Sequence, residues 1–313
     1  MEPIRRAVID VGTNSVKLLV ADVAGAEIRP VCEQSKQTRL GHGFYETHRL
    51  QAGAIAATAT AVAGFAAMAR EAQAASVRVL ATSAAREAVN REELTAAIEQ
   101  AAGLKVEVIS GEQEAALGFQ GVTTDPQLAQ APLLLMDVGG GSAQFIFGRG
   151  GHTHFCHSFP LGAVRLLETL PCSDPPKPAE LAACRQWLRG FLQREVRPIL
   201  LSEMEGSTAR GERVQLVGVG GAATILGCME AKLEAFDRAR IEATRLSAER
   251  VSWHLERLWS LPLEARKETI GLPKNRADVI LMGVAIYQVV MEEFGFRELR
   301  ISTRGLRFAA LMD

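Results

Sequence analysis

The chain has 313 residues, enough for two domains of ordinary size that each bury a core. Hydrophobic residues make up 48% and charged residues 23%, a balance that excludes a disordered chain. The formal net charge of -1 excludes attraction of nucleic acid or an anionic membrane by overall charge. Any anionic ligand must therefore be held by local positive groups and backbone amides.

The cysteines and the N-terminal sequence favour a cytoplasmic protein. There are five cysteines with no CxxC pair, so we expect free thiols and no disulfide framework. The first residues lack the apolar stretch of a signal peptide. Residues 50–69 carry no charge but consist mainly of Ala, Thr and Gly, with less apolar bulk than a membrane span needs. We expect this segment to form an internal helix.

The first third of the chain predicts a mixed sheet with helices packed against it. Apolar runs separated by turn residues predict strands at 6–10, 15–22 and 28–39. Helices at 53–75, 84–102 and 111–121 then alternate with strands at 77–81 and 105–109. Ser110, three residues before Gln113, predicts a capping box at the start of the last helix.

A polar stretch at 123–132 separates this block from a second one and predicts a domain boundary. The second block contains predicted strands at 133–138, 214–219 and 298–301, with mainly helical sequence after residue 226. We predict a first domain of residues 1–124 plus about 302–313, and a second domain of residues 125–301.

Residues 134–150 repeat the pattern of residues 7–23, which indicates an internal duplication. In both, an apolar strand ends in Asp-Val-Gly, a turn of small polar residues ends in Ser, and a second apolar strand follows. Such a turn places amides and hydroxyls around a carboxylate, which suits phosphate oxygens together with a divalent cation. One turn of this kind is more often an ordinary hairpin, but two predict a clamp on a polyphosphate. The candidate phosphate-binding residues are Gly12, Thr13, Asn14 and Ser15 in the first turn and Gly139, Gly140, Gly141 and Ser142 in the second.

The motifs resemble those of the exopolyphosphatase and guanosine pentaphosphate phosphohydrolase family, within the superfamily of actin, sugar kinases and heat-shock chaperones. The matching stretches run in order from residue 9 to residue 307 and include IDVGTNSVKLLV, VLATSAAREAVN, VISGEQEA, MDVGGGSAQFIFG, SFPLGAVRL, GLPKNRADVI and ISTRGLR. The stretch GVGGAAT resembles the third glycine-rich loop of the superfamily and adds Gly220 and Gly221, read as a turn, to the phosphate-binding set. The resemblance implies an α/β fold of two duplicated actin-like (ribonuclease H-like) domains with a cleft between them, of the short two-domain type.

The same resemblance implies roles for individual residues. Glu114 corresponds to the catalytic glutamate, a general base that positions water for attack on the terminal phosphorus. Arg86 corresponds to an arginine that points to the phosphate site. Asp137 corresponds to a ligand of Mg²⁺ or another divalent cation, with Asp10 as a second ligand through water. Lys17 follows the first turn, and we leave open whether it contacts phosphate or is a solvated strand lysine.

This sequence departs from the family pattern at three positions near these motifs. Gln144 stands where the family often has Glu, which removes a charge near the expected metal. Ala116 stands where some members have Arg, and Ala222 where the third loop usually has Thr. These changes affect the details of metal and substrate binding.

The resemblance implies an exopolyphosphatase, a phosphoanhydride hydrolase that removes the terminal phosphate of inorganic polyphosphate with Mg²⁺. The alternatives are a guanosine pentaphosphate 5'-phosphohydrolase, a sugar-kinase-like phosphotransferase, and a non-catalytic polyphosphate or nucleotide sensor on the same fold. We expect no nucleic-acid or membrane partner. The resemblance also leaves room for a homodimer.

Overall fold

The computed structural model describes residues 2–209 and 212–312, with side chains described outside residues 205–211. The chain divides into two compact units. The first comprises Met1–Thr124 and Arg304–Asp313, and the second comprises Asp125–Thr303.

The first unit contains a five-stranded mixed sheet. Its strands are β1 (Ile4–Val11), β2 (Ser15–Ala24), β3 (Glu27–Gln37), β4 (Ser76–Ala81) and β5 (Val106–Val108), in the order β3-β2-β1-β4-β5. β1 is antiparallel to β2 and parallel to β4. The helices are α1 (Ala52–Glu71), α2 (Ser83–Glu87), α3 (Arg91–Ala102), α4 (Gly111–Thr123) and the C-terminal helix Leu306–Ala310.

The central strands of this sheet are buried on both faces, which explains their continuous apolar sequence. Alternate residues of a strand point to opposite faces. Ile9 of β1 accordingly packs in one cluster with Val62 and Phe65 of α1. Its neighbour Val8 packs in another cluster with Phe308 of the C-terminal helix.

The uncharged segment at 50–69 forms most of α1. Within the described part of the chain, α1 alone is long and apolar enough to cross a membrane, contrary to the expectation from its Ala, Thr and Gly content. Core helices of other proteins pass the same test of length and composition. Ile55, Val62 and Phe65 of α1 are buried in the core of the first unit. This burial agrees with the expected internal helix.

The predicted helix at 84–102 is instead two helices, because residues 88–90 pair with residues 48–50. Val89 N donates to His48 O at 2.9 Å. The Asn90 side chain accepts from Leu50 N at 2.9 Å and donates to Leu50 O at 3.1 Å. Asparagine side chains compete in this way with helical hydrogen bonds, so α2 ends before Asn90 and α3 begins after it.

The second unit contains a six-stranded sheet in the order β10-β11-β9-β6-β7-β8. Its strands are β6 (Leu133–Val138), β7 (Ala143–Arg149), β8 (His152–Phe159), β9 (Gln215–Val219), β10 (Arg245–Ser247) and β11 (Glu298–Ile301). Its helices are α5 (Ala163–Thr169), α6 (Pro178–Phe191), α7 (Arg197–Ala209), α8 (Gly220–Glu230), α9 (Arg238–Ala243), α10 (Ala248–Trp259), α11 (Leu263–Lys267) and α12 (Ile280–Phe294). A π-helical turn, Leu192–Val196, joins α6 to α7, and a 3₁₀ turn, Lys274–Arg276, precedes α12.

The two sheets share one topology. β3-β2-β1-β4-β5 in the first unit corresponds to β8-β7-β6-β9-β11 in the second. In each, the first three strands are antiparallel and the last three are parallel. β10 is an additional antiparallel edge strand. The predicted duplication of an α/β fold is therefore confirmed.

The break between α2 and α3 makes a stability prediction. Asn90→Ala removes both partners of the buried Leu50 backbone and should lower the free energy of unfolding by about 1–3 kcal/mol. Urea unfolding measures the change. Thr95→Ala, which removes an exposed hydrogen bond from the side chain to Glu92 O, is the control and should have a smaller effect. Equal stability of the two variants would contradict the proposed contribution of the Asn90–Leu50 hydrogen bonds to the free energy of unfolding.

Candidate functional site

The two predicted phosphate turns close with the same hydrogen bond. Gly12 N donates to Ser15 O at 3.1 Å, and Gly139 N donates to Ser142 O at 3.0 Å. A Cβ atom on Gly12 or Gly139 would lie 3.2 or 3.1 Å from the same carbonyl oxygen. Glycine therefore fits the first position of each turn better than any residue with a side chain.

The carbonyl groups of the first turn are turned toward residues 38–41. Thr13 O accepts from Gly41 N at 2.8 Å, and Asn14 O accepts from Arg39 N at 3.1 Å. The N–H of a trans peptide points opposite to its C=O. The N–H groups of Asn14 and Ser15 therefore point away from residues 38–41.

The carbonyl groups of the second turn are held by the first residues of α5. The amides of Ala163 and Val164 donate to the carbonyls of residues 139 and 140 at 2.9 and 2.8 Å. Arg165 Nε donates to the carbonyl of residue 141 at 2.7 Å. By the same peptide geometry, the N–H groups of residues 140–142 point away from α5, as an anion site requires.

Asp10 is the second-last residue of β1, close to the first turn, and is almost fully buried. Its Oδ1 has no hydrogen-bond partner among the described residues. Burial raises the pKa of Asp10, while the charges of Lys17 and Arg307 oppose this rise. A buried carboxylate oxygen without a hydrogen-bond partner is costly, so the position of Oδ1 fits a cation or a donor supplied by a ligand.

Lys17 lies directly across the strand pair from Asp10 and is half-buried. The half-burial argues against the fully solvated strand lysine that the sequence left open. The positive charge of Lys17 opposes the rise in the pKa of Asp10 and offsets part of the negative charge of that carboxylate.

Asp137 is the second-last residue of β6 and contacts the first residue of α8. A Cβ atom on Gly220 would lie 2.2 Å from Asp137 Oδ1, and Gly220 has a φ of +84°. Both observations require glycine at this position. Gly220 and Gly221 thus begin α8 instead of forming the predicted turn. The N-terminus of α8 therefore lies beside the Asp137 carboxylate, an arrangement that a helix dipole favours.

Tyr287 of α12 supports the strand ends beneath Asp137. Its hydroxyl oxygen lies 3.1 Å from Met136 O and 3.2 Å from Val219 O, so its single hydrogen is shared between β6 and β9. Burial raises the pKa of Tyr287 well above its usual value, and the negative charge of Asp137 raises it further. Sequence reasoning missed this residue, although a tyrosine within the apolar run at 280–291 was a signal.

Arg86 and Glu114 are paired. Arg86 Nη1 lies 3.1 Å from Glu114 Oε2 and 3.0 Å from Ile109 O. Glu114 is buried in the first turn of α4, whose start is fixed by the predicted capping box of Ser110 and Gln113. The structure thus brings together two of the residues that the sequence selected and shows that Arg86 holds the carboxylate of Glu114.

The fully buried Gln144 occupies the position across from Asp137 that Lys17 occupies across from Asp10. Its Nε2 donates to Ser142 Oγ and to Ser158 Oγ, both at 2.9 Å. The Asp of the first turn therefore faces a cation, and the Asp of the second turn faces a neutral amide.

The donors at these turns fit a magnesium ion. Mg²⁺ binds through one or two carboxylates and completes its shell with water and phosphate oxygens. Asp10 and Asp137 are carboxylates of this kind, and Asp10 Oδ1 lacks a partner among the described residues. Those residues contain no group of three or more His, Cys, Asp or Glu that would enclose an ion without a phosphate.

The buried charge of Asp10 makes a prediction about stability and pH. Because the pKa of Asp10 is raised in the folded protein, its contribution favours folding at acidic pH and is lost as pH rises. Asp10→Asn should therefore raise the thermal midpoint at pH 7 without divalent cations, with a difference that shrinks on acidification.

Asp22→Asn is the control for this experiment, and its effect on the thermal midpoint should have the opposite sign at pH 7. Asp22 accepts two hydrogen bonds from Arg5, which lower its pKa. Its contribution to stability is therefore present at neutral pH and lost on acidification. A destabilised Asp10→Asn protein at pH 7 would contradict the conclusion that burial of the Asp10 charge outweighs the opposing charges of Lys17 and Arg307.

Comparisons with known proteins identify a family and a fold for this chain. The model of the Ppx/GppA phosphatase family matches residues 19–313. Exopolyphosphatase 2 of Mycobacterium tuberculosis is 35% identical over 305 residues, which cover 95% of this chain and 91% of that protein.

Solved structures show the same fold. A Ppx/GppA family member from Aquifex aeolicus superposes with a TM-score of 0.77 at 28% identity, covering 99% of this chain and 97% of that one. An exopolyphosphatase from Cytophaga hutchinsonii superposes with a TM-score of 0.86 at 24% identity, covering 98% and 96%, which is a likeness of fold. The family resemblance seen in the motifs is thus confirmed, and the chain belongs to the Ppx/GppA phosphatase family.

Proposed function

We propose that this protein is an exopolyphosphatase that removes the terminal phosphate of inorganic polyphosphate by Mg²⁺-dependent hydrolysis. The observation that carries the proposal is the pair of equivalent turns, each closed by a glycine amide and each preceded by an aspartate at a strand end. Family membership and the 35% identical exopolyphosphatase support it. The cytoplasmic location, the lack of nucleic-acid or membrane partners, and a homodimer are parts of the proposal that rest on the sequence alone.

The turns supply hydrogen-bond donors to phosphate oxygens. The N–H groups of residues 14–15 and 140–142 point away from the segments that hold their carbonyls. The N-terminus of α8 adds the backbone of Gly220 and Gly221 and the positive end of a helix of 11 residues. In each unit these groups suit an anion without requiring net positive charge on the protein.

Asp137 is the stronger candidate for the magnesium ligand. Its cross-strand neighbour Gln144 is neutral, whereas Lys17 already offsets part of the charge of Asp10. Asp10 would act through water. When bound, the ion neutralises charge on the phosphates and thereby favours departure of the shortened chain.

Glu114 would accept the proton of the attacking water. Arg86 Nη1 lies 3.1 Å from Oε2 of Glu114 and thereby limits the positions that the carboxylate can take. Water adds to the terminal phosphorus, its proton passes to Glu114, and the bridging oxygen leaves with the shortened chain. In this scheme Arg86 positions the base.

Glu114→Gln tests the proposed base, because it preserves size and hydrogen bonding but removes the proton acceptor. We expect kcat for phosphate release from long-chain polyphosphate with Mg²⁺ to fall by about 10²–10⁴-fold, while tripolyphosphate still binds. Glu112→Gln changes an exposed glutamate in the same helical turn and should keep wild-type kcat. A wild-type rate for Glu114→Gln would remove Glu114 from this role.

Arg86→Ala tests the positioning of Glu114. Loss of a hydrogen bond to a charged group costs about 1.5–3 kcal/mol, so we expect kcat to fall by roughly ten-fold or more. Arg86→Lys keeps the charge without the planar guanidinium and should recover only part of the rate. Arg91→Ala, which removes an exposed arginine, is the control. Unchanged kinetics in folded Arg86→Ala protein would contradict the pairing.

Two alternatives remain for the same turns. Guanosine pentaphosphate ends in the same phosphoanhydride, and a direct comparison of its hydrolysis with that of polyphosphate and ATP decides the preference. A non-catalytic sensor is favoured only by Gln144, which replaces a charged residue of the family pattern. Binding without turnover of any of these substrates would support the sensor.

A further inference from the structure

The proposed function leaves the hydrogen bonds of Gln144 unexplained. This side chain is 1% exposed and lies on β7, one residue beyond the start of the strand. Its single nitrogen Nε2 donates to the hydroxyl oxygens of Ser142 and Ser158. Ser142 is the last residue of the second turn, and Ser158 lies on the neighbouring strand β8.

The direction of these hydrogen bonds determines what the Ser142 hydroxyl can do. An amide nitrogen carries two hydrogens, and here each is directed to one hydroxyl oxygen. A hydroxyl whose oxygen accepts keeps its own hydrogen for another acceptor. A carboxylate at position 144 can only accept, so it would take the Ser142 hydrogen for itself.

We infer that Gln144 is a positioning residue that makes the Ser142 hydroxyl a hydrogen-bond donor to a phosphate oxygen at the second turn. The inference rests on the proposed function for the identity of the anion. Ser142 is buried, and its backbone N–H points away from α5 together with those of residues 140 and 141. On the proposed function, the acceptor of the hydroxyl hydrogen is an oxygen of the anion that these amides suit.

Charge at the turn supports the same assignment. Gln144 lies directly across from Asp137, so a glutamate there would place two carboxylates on neighbouring strands. The amide leaves one negative charge beside the turn, which reduces repulsion of a phosphate chain. Hydroxyl direction and charge are separate effects, and a double-mutant cycle distinguishes them.

The cycle uses inorganic tripolyphosphate with Mg²⁺ as the probe and calorimetry as the measurement. All proteins carry Glu114→Gln, so binding is measured without turnover. Gln144→Glu should weaken Kd by about tenfold or more when Ser142 is present, because one hydrogen bond to a charged acceptor is lost. With Ser142→Ala, the same change should weaken Kd by about twofold or less.

Equal weakening of Kd in both backgrounds would overturn the inference, since charge repulsion does not need the hydroxyl. No weakening in either background would overturn it as well. Gln193→Glu adds the same charge at an exposed site of the second unit and should leave Kd unchanged. Hydrolysis of polyphosphate by the wild-type protein is measured separately, so failure of the proposed function is distinguishable from failure of this coupling.

Ser142→Ala alone keeps the inference testable if Gln144→Glu does not fold. It removes the proposed donor without adding charge, and we expect Kd to weaken by about tenfold. Circular dichroism and thermal unfolding confirm that the variant is folded. Unchanged tripolyphosphate binding by folded Ser142→Ala protein would show that the hydroxyl donates no hydrogen bond to the ligand.

Discussion

A hydrogen bond from a glycine amide to the carbonyl three residues later is the constraint on which both candidate binding turns depend. It is made by Gly12 and Ser15 in one unit and by Gly139 and Ser142 in the other. With the turn closed in this way, the strand that follows it pairs antiparallel with the strand that precedes it. The same closure leaves an aspartate at the strand end and directs several amides away from the supporting segments.

Different segments donate hydrogen bonds to the carbonyls of the two turns, although the two sheets share one topology. Residues 38–41 hold the carbonyls of the first turn, and α5 with Arg165 holds those of the second. Across from the aspartates, Lys17 and Gln144 give the two turns different charge. The two duplicated units thus share one turn geometry, and the side chains around each turn give it a different charge.

The sequence was most informative where local rules decide the structure. The capping box at Ser110, the strand at 133–138 and the strand at 298–301 are present at the predicted positions. The break at Asn90 was missed because its cause is a contact with Leu50, 40 residues away. Gly220 was selected correctly but read as a turn, because the contact of its Cα with Asp137 depends on the parallel pairing of β6 and β9. The pairing of Arg86 with Glu114 likewise joins residues from two helices, and no sequence spacing specifies it.

The products of polyphosphate degradation test the proposed activity most directly. Long-chain inorganic polyphosphate is incubated with the wild-type protein and Mg²⁺, orthophosphate is quantified, and chain lengths are resolved by electrophoresis. Binding of a terminal phosphate at the turns predicts steady release of orthophosphate while the remaining chains shorten from their ends. Chains of intermediate length without orthophosphate, or no change in the polyphosphate, would contradict it.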